Sequence, residues 1–251
     1  MGSAVSSRHA EVGLTQDVVL LPTYNERENF EDIVAAIFAA LPDAHVLVVD
    51  DNSPDGTGQL ADALAARDDR VRVVHRQTKE GLGRALVHGF TVALAGPYQR
   101  IFTMDADFSH DPKYLPELRK ATESADVAVG ARYVRGGGVV GWGPMRQIVS
   151  RGGNFYARTV LGVPYHDLTG NYRCWRRATL ERIALDTLRS DGYVFQIEVL
   201  YRAFRSGARV REVPILFRDR TRGKSKMTRR IVMEAWPRVL ELRWRALTGR
   251  L

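Results

Sequence analysis

Short apolar, β-branched segments recur along the first half of the chain at nearly even spacing. They begin at residues 17, 45, 71, 100 and 126, and helix-like stretches such as Glu28–Leu41 and Thr57–Arg67 lie between them. Continuous apolar strands that alternate with helices are typical of βαβ units, in which helices cover both faces of a parallel sheet. The sequence therefore predicts an α/β protein with a mostly parallel central sheet. The predicted strands are Asp17–Pro22, His45–Asp50, Val71–His75, Arg100–Asp105 and Asp126–Arg132.

The second half of the chain has a less regular pattern. The glycine-rich segment Arg135–Pro144 is predicted to be a mobile loop, and Arg209–Phe217 a strand followed by a basic loop at Arg218–Met227. Pro237 should kink or restart the last helix, because proline removes a backbone hydrogen bond inside a helix. The helices predicted here are Met145–Leu161, Tyr193–Arg205 and Thr228–Leu247.

The excess of positive charge is confined to the C-terminal segment. Residues 218–251 contain 11 Lys or Arg against 3 Asp or Glu, which accounts for the whole net charge of +8. A basic segment suggests a polyanionic partner such as a nucleic acid, an anionic membrane surface or a phosphorylated ligand. The single cysteine, Cys174, excludes an intrachain disulfide and a metal site built from cysteines.

Polar residues follow each of the predicted strands. In an open parallel sheet, ligands bind beyond the carboxyl ends of the strands. The successive strands are followed by "PTYNE", "DDNSPDG", "KEGLGRA", "DADFSH" and Arg132. "DDNSPDG" alone is equally typical of a turn with a helix cap. "GLG" lacks the third glycine of the dinucleotide-binding fingerprint, which disfavours a nicotinamide dehydrogenase.

Asp105 and Asp107 are the most informative of these residues. Residues i and i+2 of an extended segment point to the same side, so the two carboxylates repel each other unless a cation lies between them. Carboxylates together with substrate phosphates commonly bind Mg²⁺ or Mn²⁺. The structural alternative is two exposed acids in a loop.

Eight motifs in order give the chain a resemblance to a known family. They are "LPTYNE", "VLVVDDNSPDGTG", "GLGRAL", "MDADFSHDP", "VGARYVRGG", "DLTGNYR", "GYVFQIEVLYRA" and "VPILFRDRTRGKSKM". Together they resemble the family-2 inverting glycosyltransferases of the GT-A fold, and within that family the enzymes that transfer mannose to a polyprenyl (dolichyl-type) monophosphate. The resemblance implies a flexible tail at 1–16, a GT-A catalytic domain at 17–227 and a basic helix at 228–251 that contacts a membrane surface.

The resemblance also implies roles for individual residues. Asp105 and Asp107 would hold a divalent cation, Mg²⁺ or Mn²⁺, against the diphosphate of the donor. Ser109 stands where some members place a further metal ligand, a glutamine, so the coordination number is open. Other roles are implied for a larger set: GDP-mannose binding for Pro22, Tyr24, Glu26, Asp51, Arg220 and Lys226, and binding of the lipid phosphate for Arg132, Arg146 and Ser150.

A phosphate acceptor explains why no general base stands out in the sequence. With a second pKa of about 6, a phosphate is already largely a dianion at neutral pH, so its oxygen can act as the nucleophile. The site must then supply positioning and charge neutralisation. Three alternatives remain open: a UDP-sugar-dependent glucosyl- or aminosugar transferase acting on the same lipid, a nucleic-acid-binding protein, which is disfavoured because no recognition motif is evident, and an inactive scaffold.

The location of the protein is predicted from its apolar segments. The longest apolar run, Ile33–Leu41, has nine residues, whereas a membrane span needs roughly 20, and no signal peptide is recognised. The last helix mixes tryptophan with arginine, which suits a membrane interface. The sequence thus predicts a peripheral enzyme on the cytoplasmic face of a membrane. It is compatible with a separate membrane-embedded partner protein, and no role for nucleic acid is expected.

Overall fold

A computed structural model describes residues 16–188, 190, 192–219 and 229–251, with the backbone alone for 229–235. The strands in these ranges are β1 (Asp17–Thr23), β2 (His45–Asp50), β3 (Val71–His75), β4 (Arg100–Thr103), β5 (Val127–Ala131), β6 (Gly138–Val140), β7 (Arg173–Arg176), β8 (Val210–Pro214) and β9 (Leu216–Arg218). The helices are α1 (Phe30–Ala40), α2 (Thr57–Ala65), α3 (Leu82–Ala95), α4 (Leu115–Ala121), α5 (Pro144–Leu161), α6 (Arg177–Arg182), α7 (Gly192–Arg205) and α8 (Arg229–Leu247), with 3₁₀ turns at Pro112–Tyr114 and Leu185–Thr187.

Seven strands form the central sheet in the order β3-β2-β1-β4-β7-β5-β8. All neighbours are parallel except β7, which runs antiparallel to both β4 and β5. The prediction of a mostly parallel sheet flanked by helices is confirmed, although the sequence pattern did not reveal β7. The chain order reverses between β1 and β4, so a crevice is expected beyond the carboxyl ends of these two strands.

Alternating side chains of β1 divide the core into two layers. Val18 and Leu20 pack with α3, α5, α7 and α8 on one face of the sheet. Val19 and Leu21 pack with α1 and α4 on the other face. Because both faces are covered, β1 is apolar at consecutive positions rather than at every second one.

Two predicted segments differ from the structure. The glycine-rich stretch Arg135–Pro144 is not a loop throughout, because it contains β6, which pairs with β9 in parallel. The predicted strand Arg209–Phe217 is divided at Ile215, whose N–H donates to Ala131 O (3.1 Å). Its first part, β8, belongs to the central sheet, and its second part, β9, forms a small separate sheet with β6.

The last helix packs against the body of the protein. Its Val239, Leu242 and Ala246 are buried in the same core layer as Ala157 and Leu161 of α5. Pro237 lies inside α8 without dividing it into two helices, so the predicted restart is not observed. The predicted tail lies outside the described residues, apart from residue 16.

Gly137 is expected to be sensitive to substitution because it lies against the end of β5. A Cβ at this position would stand 2.5 Å from Ala131 O and 3.0 Å from Arg132 O, so the backbone itself would have to move. Gly137→Ala should lower the free energy of unfolding by about 2 kcal/mol in chemical denaturation. Gly152→Ala, in open space on α5, should raise it by up to about 1 kcal/mol through helix propensity. Equal stabilities of the two variants would contradict this packing.

Candidate active site

The carboxyl ends of β1, β2, β4 and β5 open into one cavity of about 320 Å³, here called the main cavity. Every predicted site residue within the described part of the chain lines it; these are Pro22, Tyr24, Glu26, Asp51, Asp105, Asp107, Ser109, Arg132, Arg146 and Ser150. Arg220 and Lys226 lie outside the described residues. The parallel sheet thus brings together side chains that are far apart in the sequence.

The first side of the main cavity is formed by the loops after β1 and β2. Asn25 and Asn52 adopt left-handed backbone conformations there, with φ of 58° and 55°. Asp51 is buried and forms an ion pair with the buried Arg76. Burial raises the pKa of Asp51, although Arg76 opposes the effect. The ammonium of Lys79 lies 3.6 Å from the centroid of the Tyr24 ring, so the wall at this point is aromatic and cationic.

The loop after β4 holds the two predicted carboxylates. Asp105 Oδ1 accepts a hydrogen bond from Asn171 Nδ2 (2.9 Å), and the side chain is 34% exposed. Asp107 is buried, and its Oδ1 accepts from the backbone N–H of Ser109 (3.0 Å). Phe108, between them, has a left-handed φ of 59°, which is strained for a residue with a bulky side chain.

His110 is buried next to this loop, and its imidazole ring is neutral. Its Nδ1 accepts a hydrogen bond from the backbone N–H of Asp105 (3.0 Å), so the proton is on Nε2. Burial lowers the pKa of His110, and this outweighs the opposing effect of Asp105. The ring stacks on Tyr172 at 4.9 Å, which fixes the position of the Asp105 backbone.

The residues around Asp105 and Asp107 fit a divalent cation that shares its ligands with a bound phosphate. Ser109 Oγ is buried with no hydrogen-bond partner among the described residues, and it lines the main cavity beside Asp107. The described residues contain no group of three or more His, Cys, Asp or Glu side chains that could hold a metal ion by themselves. In proteins Mg²⁺ is usually bound by one or two carboxylates, and waters and substrate phosphates supply its remaining ligands. Asp105 and Asp107 fit this pattern.

Arg132 is held rigidly at the opposite side of the main cavity. Its Nε and Nη2 donate to the two carboxylate oxygens of Asp167 (2.7 Å each), and its backbone N–H also donates to Asp167 (2.9 Å). Burial by itself lowers the pKa of Arg132, but Asp167 outweighs it and holds the pKa above its ordinary value. Arg132 is therefore a permanent, oriented cation rather than a surface charge.

Arg146 and Trp142 form the outer wall next to Arg132. The Arg146 guanidinium lies 4.0 Å from the Trp142 ring centroid, and its Nη1 donates to Asp219 (2.9 and 3.0 Å). Arg146 Nε and Trp142 Nε1 are buried donors without a partner among the described residues. Both residues line the main cavity, so this wall offers hydrogen-bond donors suited to an anionic ligand.

Sequence reasoning missed the residues that support the site from within. Gln196 Nε2 on α7 donates to Asn171 Oδ1 (2.9 Å), and Asn171 in turn holds Asp105. Asn171 and Asp167 both belong to "DLTGNYR", a motif whose polar residues around a buried strand could have indicated a supporting role. Nothing local indicated Gln196 or Trp142, because their roles depend on packing between distant elements.

The solved structures that the chain resembles share the GT-A glycosyltransferase fold. One is the glucosyl-3-phosphoglycerate synthase from Mycobacterium tuberculosis in complex with Mn²⁺, UDP-glucose and phosphoglyceric acid. It matches with a TM-score of 0.66 over 93% of this chain and 80% of that chain, at 18% sequence identity. At this identity the likeness establishes the α/β GT-A fold, which confirms the predicted fold class.

The sequence comparisons establish the family. The profile of Glycosyl transferase family 2 matches residues 18–184. The polyprenol monophosphomannose synthase of Mycolicibacterium smegmatis is 48% identical over 93% of this chain and 88% of the relative. The undecaprenyl-phosphate mannosyltransferase of Micrococcus luteus is 44% identical over 93% of this chain and 98% of the relative. The chain belongs to glycosyltransferase family 2, as its motifs predicted, and is a glycosyltransferase.

Gln196 and Asn171 should matter for turnover because they form the hydrogen-bond chain that positions the Asp105 carboxylate. Gln196→Ala removes the hydrogen bond that holds Asn171, so we expect kcat for glycosyl transfer to fall by roughly 10- to 100-fold. KM for the donor should change by less than about threefold. Gln59→Ala, at an exposed position on α2, is the matched control and should leave both parameters unchanged. A normal kcat in the Gln196 variant would show that the hydrogen-bond chain does not position Asp105.

Proposed function

We propose that this glycosyltransferase moves mannose from GDP-mannose to the phosphate of a polyprenyl (dolichyl-type) monophosphate. The observation that carries the proposal is the presence, in the lining of one cavity, of two carboxylates from the loop after β4 and two arginines, Arg132 and Arg146. This arrangement suits a donor diphosphate bound through a cation and a phosphate acceptor bound through arginines. The two relatives named above support the sugar and the lipid class, since their names state mannose and polyprenyl phosphate.

The donor would bind along the ends of β1, β2 and β4. Pro22, Tyr24, Glu26 and Asp51 line the part of the main cavity assigned to the guanosine. Asp105 and Asp107 would hold a divalent cation, Mg²⁺ or Mn²⁺, whose chemistry is to neutralise charge on the departing diphosphate. Arg220 and Lys226, outside the described residues, are proposed to contribute further positive charge at the diphosphate.

The acceptor phosphate would bind between Arg132, Arg146 and Ser150. Arg146 Nε and Trp142 Nε1 are the buried donors that such an anion would satisfy. One phosphate oxygen attacks the anomeric carbon of mannose as the bond from that carbon to the diphosphate breaks, and the configuration inverts. No proton has to be removed from the nucleophile, because the phosphate is largely a dianion at neutral pH. Arg132 and Arg146 orient the attacking phosphate and reduce its repulsion from the donor.

The lipid acceptor implies that the protein works at a membrane surface. None of the described helices is long and apolar enough to cross a bilayer. Two packed helices nevertheless expose large apolar side chains; on α5 these are Met145, Ile148 and Phe155, and on α8 they are Trp236, Leu240, Trp244 and Leu247. Such amphipathic surfaces bind in the interfacial region of a bilayer. We propose that the protein is a peripheral enzyme on the cytoplasmic face of the membrane and that it can act together with a membrane-embedded partner protein.

The decisive experiment is transfer of radiolabelled sugar from GDP-mannose to a short polyprenyl phosphate with Mn²⁺ or Mg²⁺, followed by a repeat with EDTA. The expected result is a product that is extracted into organic solvent and is lost with EDTA. UDP-glucose and UDP-N-acetylglucosamine are run in parallel. Product from a UDP-sugar alone would contradict the proposed mannose donor, and product formed equally well in EDTA would contradict the proposed cation.

A further inference from the structure

A second cavity of about 300 Å³, here called the side cavity, lies behind Arg132. It is lined on one side by Arg151, Phe155 and Arg158 of α5, and on the other by Tyr133 and His166. The side cavity and the main cavity share only Arg132 among their lining residues. The side cavity is thus a separate recess with three arginines and no acidic residue in its lining, and the proposed transfer reaction does not require it.

Arg151 and Arg158 are cations that have no acidic partner among the described residues. Neither guanidinium forms an ion pair or hydrogen bond with the described residues, and the Arg151 guanidinium lies 5.6 Å from the centroid of the Tyr133 ring. The carboxylate next to this region, Glu212, is already engaged, since it accepts from His166 Nδ1 (2.9 Å) and from the backbone N–H groups of His166 and Asp167. Two unpaired arginines facing one recess favour an anion there.

The position of the two arginines on α5 indicates where the anion would come from. They are seven residues apart, so they lie on the same side of the helix, about 10 Å apart along its axis. The next strip around the helix carries exposed apolar residues, Ile148 (65% exposed) and Phe155 (70%). A basic strip beside an apolar strip is the pattern of a helix that lies in the headgroup region of a bilayer.

The structure describes the side chains of three arginines of α8, and each of them has a partner in the protein. Arg243 Nη1 donates to Leu161 O (3.3 Å) and to Tyr201 Oη (3.2 Å), so it holds the helix to the body. Arg238 pairs with Glu241 (3.1 Å), and Arg245 lies 3.7 Å from the buried Glu198. The exposed face of this helix is apolar, with Trp236 and Trp244 about half exposed. Among the arginines of α5 and α8 whose side chains the structure describes, Arg151 and Arg158 of α5 are the ones without a hydrogen bond or ion pair to the described residues.

We propose that Arg151 and Arg158 form a binding site for the phosphate of an anionic membrane phospholipid, separate from the site proposed for the acceptor phosphate. The apolar strips of α5 and α8 enter the bilayer interface, and the bound headgroup phosphate fixes the orientation of α5. The mouth of the main cavity, at Arg146 and Ser150 on the same helix, then faces the membrane. This inference rests on the proposed function only for the identity of the acceptor, because the headgroup site is defined by its own residues.

The test is sedimentation of the full chain with vesicles of phosphatidylcholine, with and without phosphatidylglycerol, at one ionic strength. The double variant R151Q/R158Q should bind phosphatidylglycerol vesicles roughly 10- to 30-fold more weakly than the parent protein. The control R72Q/R211Q removes the same charge from exposed positions on β3 and β8, and should weaken binding by less than about threefold. R151K/R158K keeps the charge and should stay within about threefold of the parent, which separates loss of charge from misfolding.

Each outcome bears on the headgroup site independently of the transfer reaction. Unchanged vesicle binding of R151Q/R158Q, or an equal loss in R72Q/R211Q, would overturn the proposal. If inorganic phosphate stabilises the parent but not R151Q/R158Q in thermal unfolding, while vesicle binding is unchanged, the site takes free phosphate and the membrane role is wrong. Transfer to a short prenyl phosphate in detergent should be normal in R151Q/R158Q; absence of transfer in the parent as well would count only against the proposed function.

Discussion

Asp167→Asn should reduce glycosyl transfer by about 100-fold or more and lower the free energy of unfolding by about 3 kcal/mol. Asp167 is fully buried and accepts hydrogen bonds from Arg132 Nε, Nη2 and backbone N–H. Removing one partner of a buried ion pair leaves the other charge uncompensated, which typically costs about 3 to 5 kcal/mol. The loss of activity follows because an arginine displaced by about 1 Å no longer presents its charge to the ligand.

A second buried cation should increase the loss of stability in Asp167→Asn. Arg173 of β7 is fully buried, and its guanidinium donates to Gln196 O (2.8 Å) and Leu168 O (2.7 Å). Burial lowers the pKa of Arg173 to about 9, so it remains charged at neutral pH, and Asp167 offsets part of this effect. An asparagine at position 167 would leave two arginines facing each other without a counter-charge. Chemical denaturation and steady-state kinetics measure the two effects.

The loss of stability in Asp167→Asn should become smaller at acid pH. Burial alone raises the pKa of Asp167, but Arg132 outweighs it and holds the pKa below its ordinary value of 3.8. The stability contributed by the carboxylate is then fully present above pH 3.8 and is lost as the pH falls through the lower folded value. The difference between the parent and Asp167→Asn should be constant from pH 5 to 8, roughly, and shrink in acid. Asp62→Asn, which breaks an exposed pair with His75, is the control and should cost less than about 0.5 kcal/mol.

Asp107→Ala should reduce transfer by about 1,000-fold at saturating Mn²⁺. Asp107 is buried and is one of the two carboxylates proposed to bind the cation, and the described residues contain no group of three or more such side chains that could hold it without Asp107. Binding of Mn²⁺ in the presence of GDP, followed by electron paramagnetic resonance, should weaken at least tenfold. Ser109→Ala should cost only about tenfold in transfer, because a hydroxyl is a weaker ligand than a carboxylate.

The control for this experiment lies in the same loop. Asp111 accepts from the backbone N–H of Lys113 (3.1 Å) at the start of a 3₁₀ turn and does not line the main cavity. Asp111→Asn should therefore leave transfer within about threefold of the parent. Normal turnover of Asp107→Ala with saturating Mn²⁺ would exclude the proposed cation role.

The parallel sheet was predictable because its strands are buried on both faces and therefore appear as continuous apolar runs. The cluster at the carboxyl ends of the strands was predictable for the same reason, since their order along the chain fixes which loops meet. β7 was not predictable, because two of the four residues of Arg173–Arg176 are arginines in a largely buried strand. Its arginine is satisfied by carbonyl groups of Gln196 and Leu168, which only the folded chain brings near.

The surroundings of Arg132 could not be predicted from the sequence for the same reason. Arg132 was expected at the end of β5, but its partner Asp167 is 35 residues away and belongs to a different segment. Trp142 reaches the main cavity because β6 and β9 pair across 78 residues, as Gly138 does with Leu216. Alternation of apolar and polar residues cannot reveal such a pairing when each strand has only three residues and β6 begins with a glycine.

Three residues other than glycine have a left-handed backbone conformation in the described part of the chain, and all three follow strands at the main cavity: Asn25, Asn52 and Phe108. For such residues the conformation costs on the order of 1 kcal/mol each. Glycine at position 108 would remove that cost, but it would also remove the Phe108 ring, which packs against the core layer that contains Val19 and Leu21. The same change would free the backbone between Asp107 and Ser109. Substitution at this loop should accordingly slow turnover without stabilising the protein, and the outer helices are better places to stabilise it.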